Sequence, residues 1–138
     1  MNSFNHFALG AVGQWMYEYQ LGITNGSSGY KNFILQPSAG SNYTSLYGCY
    51  ESNYGIITSK WKSDGLGNII EYTTSVPANT NATLFIPIKS LPTIGETCIG
   101  VDYIGEVIHS HTKCMAFKLE SGKFLFKLTD NTIFIESL

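Results

Sequence analysis

Two of the three histidines, His109 and His111, stand two residues apart, with Cys114 three positions further on. On a strand, residues i and i+2 share a face, so both rings would point one way with Cys114 near enough to complete a metal site. The spacing H-S-H-T-K-C matches no established zinc pattern, and a solvent-exposed loop is the plainer reading. No metal and no other cofactor is expected. The carboxylates are Glu18, Glu51, Asp64, Glu71, Glu96, Asp102, Glu106, Glu120, Asp130 and Glu136. Glycoside hydrolysis needs two carboxyl groups roughly 5–10 Å apart across the scissile bond. Most of these acids fall at expected turns or outward strand positions, and none forms a recognisable acid–base pair. A Gly-rich phosphate loop, a GxSxG elbow and a local Cys–His signature are all missing from the sequence. A third group is aromatic: Trp61, Tyr47, Tyr50, Tyr54, Tyr72 and Phe85. Such rings can form a platform that stacks on the C–H face of a sugar, with Trp61 and Tyr54 as candidate stacking residues. In a chain of this size the same residues more often fill a core.

Any such site must be held by one domain, because 138 residues suffice for one ordinary core but not for two. Hydrophobic residues make up 43% and charged residues only 13%, which sets the chain apart from disordered sequences. A formal net charge of -2, with eight Lys and Arg spread singly, offers no basic stripe for phosphates, so nucleic acid is not an expected partner. No run approaches the roughly 18 apolar residues of a membrane span, and no membrane partner is expected. The cellular compartment is left open. Cys49, Cys98 and Cys114 are odd in number and widely spaced, and buried thiols outside any disulfide framework are expected.

Phe4, Phe7, Ala8, Ala11, Val12, Trp15, Met16 and Tyr19 recur at the helical period, with Ser3 or Asn5 as cap and Gly22 as stop. Gly10 and Gly13 within this stripe suggest a close helix–helix contact. From Tyr30 onward the period changes to two. Strands are expected over residues 30–37, 43–52, 54–63, 68–76, 82–88, 114–120, 123–128 and 132–137, with Gly-rich or polar hairpin loops at 64–68, 121–122 and 129–131. Residues 89–111 read as a loop or insertion with one weak strand at 101–103. The fold class is therefore mainly β: an antiparallel sandwich of about eight strands preceded by one N-terminal α-helix.

Five segments in order, SFNHFALGAVGQWMYEYQLGI, GYKNFILQP, YESNYGIITSKWK, VPANTNATLFIP and ESGKFLFK, resemble the C-terminal end of bacterial α-L-rhamnosidases of glycoside hydrolase family 78. The combination S-x-N-H-x-x-x-G-x-V-x-x-W, Y-x-S-x-x-G-x-I-x-S-x-W and V-P-A-N-T-x-A is fairly specific, and residues 89–113 fall outside the resemblance. The family usually has Pro where Asn53 stands here.

The resemblance implies that residues 1–23 are the last helix of a catalytic α/α barrel and residues 24–138 a C-terminal β-sandwich accessory domain. The family's general acid and base lie upstream of the S-x-N-H motif, so no catalytic residue is expected in this chain. His6 would line the rhamnose subsite of the intact enzyme, with Asn5 orienting the turn beside it. Gly55 at a turn, Pro77 limiting an edge, Trp61 in the core and Asn79 match structural positions. The expected partners are the rest of the barrel and, in the intact enzyme, rhamnose-containing glycosides. The apolar helix stripe, without neighbours, also suggests a homodimer through residues 4–19. A non-catalytic supporting domain is the leading reading, a carbohydrate-binding module with an aromatic face the alternative, and a free-standing hydrolase the third.

Overall fold

The structure is a computed structural model that describes residues 19–40 and 43–138. The expected helix and its apolar stripe up to residue 18, and with them His6 and Asn5, lie outside the described residues.

Among the described residues, eleven strands form two stacked sheets. One sheet contains β1 (Ile23–Asn25), β2 (Asn32–Leu35), β6 (Asn81–Pro87), β9 (Thr112–Leu119) and β8 (Val101–His109), in the order β1-β2-β6-β9-β8. The other contains β3 (Ser45–Ser52), β4 (Gly55–Ser63), β5 (Ile69–Val76), β10 (Gly122–Thr129), β11 (Thr132–Ser137) and β7 (Thr93–Ile94), in the order β3-β4-β5-β10-β11-β7. Pairing is antiparallel except for β2 with β6 and β7 with β11.

Alternation builds the core. Ile57 and Trp61 of β4, Tyr72 of β5, Phe124 and Phe126 of β10, and Ile133 and Ile135 of β11 point inward from the second sheet. Phe33, Leu35, Leu84, Ile86, Met115, Phe117 and Leu119 face them from the first. Phe117 meets Phe126 across the layers with ring centroids 5.3 Å apart. Burying a side chain of this size contributes about 1.5–3 kcal/mol. Leu21 and Ile23 belong to the same core, so the packing of the sandwich reaches back past residue 24.

The segment read as irregular differs most from expectation. Residues 101–109 are a nine-residue strand whose pairing with β9 shifts register between Tyr103 and Gly105. Tyr103 lies opposite Phe117, but Gly105 lies opposite Ala116, so Ile104 is an extra residue in β8. Such a bulge moves every later side chain to the other face. Val101 and Tyr103 accompany the core residues Leu119 and Phe117, whereas Val107 and His109 accompany Cys114 and Thr112 on the outer face.

Two of the three expected hairpin loops join paired strands: residues 64–68 connect β4 to β5, and Asp130-Asn131, both with positive φ, connect β10 to β11. Ser121-Gly122 does not. It carries the chain from β9 in one sheet to β10 in the other, so it is an inter-sheet corner. Pro77 follows the last residue of β5, a central strand, so it ends that strand rather than protecting an edge. Gly55 opens β4 with φ 138°, and a Cβ there would approach Pro77 Cβ at 3.3 Å. The Y-x-S-x-x-G and V-P-A-N-T motifs therefore meet at one end of the sandwich.

Candidate functional site

The segment leading into β1 turns sharply at Gly22, whose φ of +74° favours glycine and where a Cβ would collide with the Gln36 carbonyl group. Gln36 N–H donates to Gly22 O at 2.9 Å and Ser38 N–H to Gln20 O at 3.2 Å. On the other side, Trp61 Nε1–H donates to Gln20 O at 2.9 Å and Ser59 Oγ–H to Leu21 O at 2.7 Å. Residues 20–22 are thus bonded both to the second sheet and to the chain beyond β2.

Beside this junction lies a groove of about 590 Å³, with Tyr19, Thr24, Gln36, Pro37, Ser38 and His109 among its lining residues. His109 is held in it by several contacts. Gln36 Oε1 accepts from His109 Nδ1 at 2.6 Å, while Gln36 Nε2 donates to His109 O at 3.1 Å and toward Cys114 Sγ at 3.7 Å. The imidazole lies flat on Phe85, with centroids 3.9 Å apart and planes 5° from parallel. Because an amide oxygen only accepts, Nδ1 carries the proton, and in the neutral ring Nε2 is left as an acceptor. Cys114 is buried, and that burial pushes its thiol pKa up, partly offset by the Gln36 contact.

A second, shallower depression of about 790 Å³ lies on the outer face of the other sheet, where Tyr47, Ile56, Thr58, Ser75, Pro77 and Lys123 contribute to its walls. No described Asp or Glu side chain lines either concave region. Glu71 pairs with Lys62 at 3.2 Å and Glu106 with Lys113 at 2.9 Å. Asp64 organises its own turn, accepting from Asn68 Nδ2 at 2.6 Å and Leu66 N–H at 2.8 Å, and these bonds hold its carboxyl below the usual range.

Trp61 as a stacking residue is corrected: the indole is 1% exposed, inside the core, and unable to offer a face to sugar. Tyr72 is likewise in the core. Tyr54 is 41% exposed in the β3–β4 turn, at the far end of that hairpin from Trp61, so the two form no common platform. Tyr47 is exposed, whereas Tyr50 is half-buried against Tyr30. Burial of all three thiols is corrected too, since Cys49 is exposed and Cys98 half-buried, although none is in a disulfide. His109 is not in a solvent-exposed loop: it ends β8, and Ser110-His111 form the two-residue turn into β9. Among the described residues no three of His, Cys, Asp or Glu gather as metal ligands. Gln36 was absent from the sequence candidates because its partner lies 73 positions away. A usable signal was the pair of β-rich runs flanking Ser110-His111, which reads as a two-residue hairpin.

Similarity to known proteins agrees with this architecture. An α-L-rhamnosidase of Streptomyces avermitilis is 33% identical over 126 residues, covering 91% of this chain and 12% of that protein. One from Formosa agariphila is 38% identical over 87 residues, covering 63% of this chain and 9% of the relative. The crystal structure of the Streptomyces avermitilis α-L-rhamnosidase complexed with L-rhamnose superposes with a TM-score of 0.65 at 31% identity, over 90% of this chain and 12% of that one. The α-L-rhamnosidase from Dictyoglumus thermophilum shares the fold, with a TM-score of 0.64 at 16% identity over 92% of this chain and 13% of that one. The chain therefore spans only 9–13% of the length of these relatives. The model of the bacterial α-L-rhamnosidase C-terminal domain matches residues 22–97, and so includes residues 89–97 that the motif resemblance leaves out. With more than half of its length matched, and a sandwich shared with these enzymes, the chain belongs to the bacterial α-L-rhamnosidase C-terminal domain family.

Proposed function

We propose that this chain is a non-catalytic supporting domain of an α-L-rhamnosidase, packed against a catalytic body contributed by the rest of a longer protein. The observation that carries this reading is that the chain aligns over 91% of its own length with only 12% of a full α-L-rhamnosidase, in a region matched as the C-terminal domain. The described carboxylates support it, because none lines either concave region and two are engaged in ion pairs. A hydrolase of this type requires an acid and a base on opposite sides of one bond.

In this reading the residues before Leu21 close the barrel as its last helix, and the accessory sandwich begins earlier than residue 24, since Leu21 packs in its core and Ile23 opens β1. His6 lines the rhamnose subsite and Asn5 orients the turn beside it. The bonds from Trp61 and Ser59 to residues 20 and 21 anchor the segment entering β1 to the second sheet. The test compares three proteins: the 138-residue chain, the full-length parent and a parent lacking the sandwich. No hydrolysis of an aryl α-L-rhamnoside by the chain alone, with a lowered Tm for the truncated parent, is expected. Turnover by the isolated chain, or a truncated parent of undiminished stability and activity, overturns the proposal.

A further inference from the structure

We propose that the groove beside Gly22 binds a neutral saccharide unit, with His109 Nε2 accepting a ligand hydroxyl. Among the described residues no Asp, Glu, Lys or Arg side chain lines this groove, and His109 is the titratable side chain that faces it beside Tyr19. Its walls combine the hydroxyls of Thr24, Ser38 and Thr112 with the apolar rings of Pro37 and Pro87. A charged ligand would find no carboxylate, ammonium or guanidinium counter-ion among these residues, and a wholly apolar one would leave the Thr24 and Ser38 hydroxyls unpaired. A pyranose answers both halves of this surface: its hydroxyls are donors and acceptors, and its C–H face is apolar. The volume of about 590 Å³ falls within the roughly 300–1,000 Å³ typical of small-molecule sites.

The imidazole is ordered before any ligand arrives. Its Nδ1 is committed to Gln36, its backbone carbonyl accepts from the same amide, and one ring face is covered by Phe85, which does not itself line the groove. Nε2 makes no hydrogen bond with any described residue. An acceptor held in a fixed orientation, with its tautomer set by a neighbouring amide, is a preorganised partner for a hydroxyl donor, and little side-chain entropy is lost on binding. The Ile104 bulge is what turns His109 away from the core side and toward this groove. The supporting role of the domain does not depend on this site.

The experiment is a chemical-shift titration of the isotopically labelled 138-residue chain with L-rhamnose and, separately, with D-glucose. Saturable shifts at the Gln36 side-chain amide, His109 and Thr24, with a Kd on the order of millimolar, are expected for at least one sugar. His109→Phe retains a flat ring over Phe85 but lacks the acceptor, and it should weaken binding about tenfold. Thr24→Val, which keeps the side-chain shape, should weaken it about threefold in a folded background. Absence of shifts at the groove with both sugars, shifts confined to Tyr47 and Tyr54, or unchanged affinity in both variants overturns the proposal.

Discussion

The His109 imidazole and the Phe85 ring are stacked almost parallel, 3.9 Å between centroids, although the residues belong to strands that do not pair with each other. β9 lies between them, and its Ala116 pairs with Phe85 on one side and with Gly105 on the other. A residue as small as alanine leaves room above the sheet for the two rings to meet. The bulge at Ile104 is the other requirement, because an uninterrupted β8 would place His109 on the same face as Val101.

Gly105 follows the bulge with φ +147° and nothing within 4 Å of a Cβ built on it. Space is therefore available, but the backbone conformation is one that L-residues rarely adopt. Gly105→Ala should cost about 1–3 kcal/mol of stability, measured by urea denaturation. The His109 ring-proton shifts, which report stacking on Phe85, should move with it.

Seven long strands were legible because most of their length alternates: the residues 45–52, 55–63, 69–76, 81–87, 112–119, 122–129 and 132–137 overlap the expected runs, although the period slips near Ile69 in β5 and residues 114–117 of β9 are buried on both faces. β8 was not, since Ile104 breaks its period and leaves Tyr103, Ile104 and Glu106 all exposed. β1 and β7 span three and two residues, too few for any period to register. Ser121-Gly122 carries the local chemistry of a hairpin, and only the sheet assignment of β9 and β10 shows it to be a corner. The Gln36–His109 pair was out of reach for a different reason, since a contact across 73 positions leaves no mark on either local pattern. Trp61 in the core, by contrast, was readable from its place in an alternating run.

Gly22 tests the junction. The expected helix stop is also the point where the chain passes against Gln36 and Pro37, and a Cβ would meet backbone atoms rather than a yielding side chain. Gly22→Ala should destabilise the chain by at least about 3 kcal/mol, combining a left-handed φ with overpacking. A thermal melt shifted by less than a few degrees would show that the junction is less rigid than these contacts require.

The thiols should separate by accessibility. Cys49 is exposed on the outer face of β3, whereas Cys114 is buried and burial raises its thiol pKa, as it does for Cys98. The thiolate is the reactive form, so native Cys114 should resist a thiol reagent at neutral pH and Cys49 should react first. Mass spectrometry after a short pulse of labelling, with and without denaturant, checks the order. Modification of Cys114 at the rate of Cys49 in the native chain would contradict its burial.

Tyr72 gives the clearest pH dependence. Ser59 Oγ donates its only proton to Leu21 O, so the Tyr72 hydroxyl, 3.0 Å away, donates to Ser59. Burial raises the Tyr72 pKa well above the ordinary value of 10. The folded state therefore holds this proton at pH values where the unfolded chain has released it. Its contribution to stability is present in full below pH 10 and declines as pH climbs toward the raised folded value, by up to about 1.4 kcal/mol per pH unit. Tyr72→Phe should cost about 1 kcal/mol at neutral pH by removing the hydrogen bond to Ser59. Since phenylalanine releases no proton, the gap between wild type and variant should narrow above pH 10 and then reverse. Denaturation curves at pH 8, 10 and 11 test this, and parallel curves across that range would show that the Tyr72 hydroxyl is not retained by the fold.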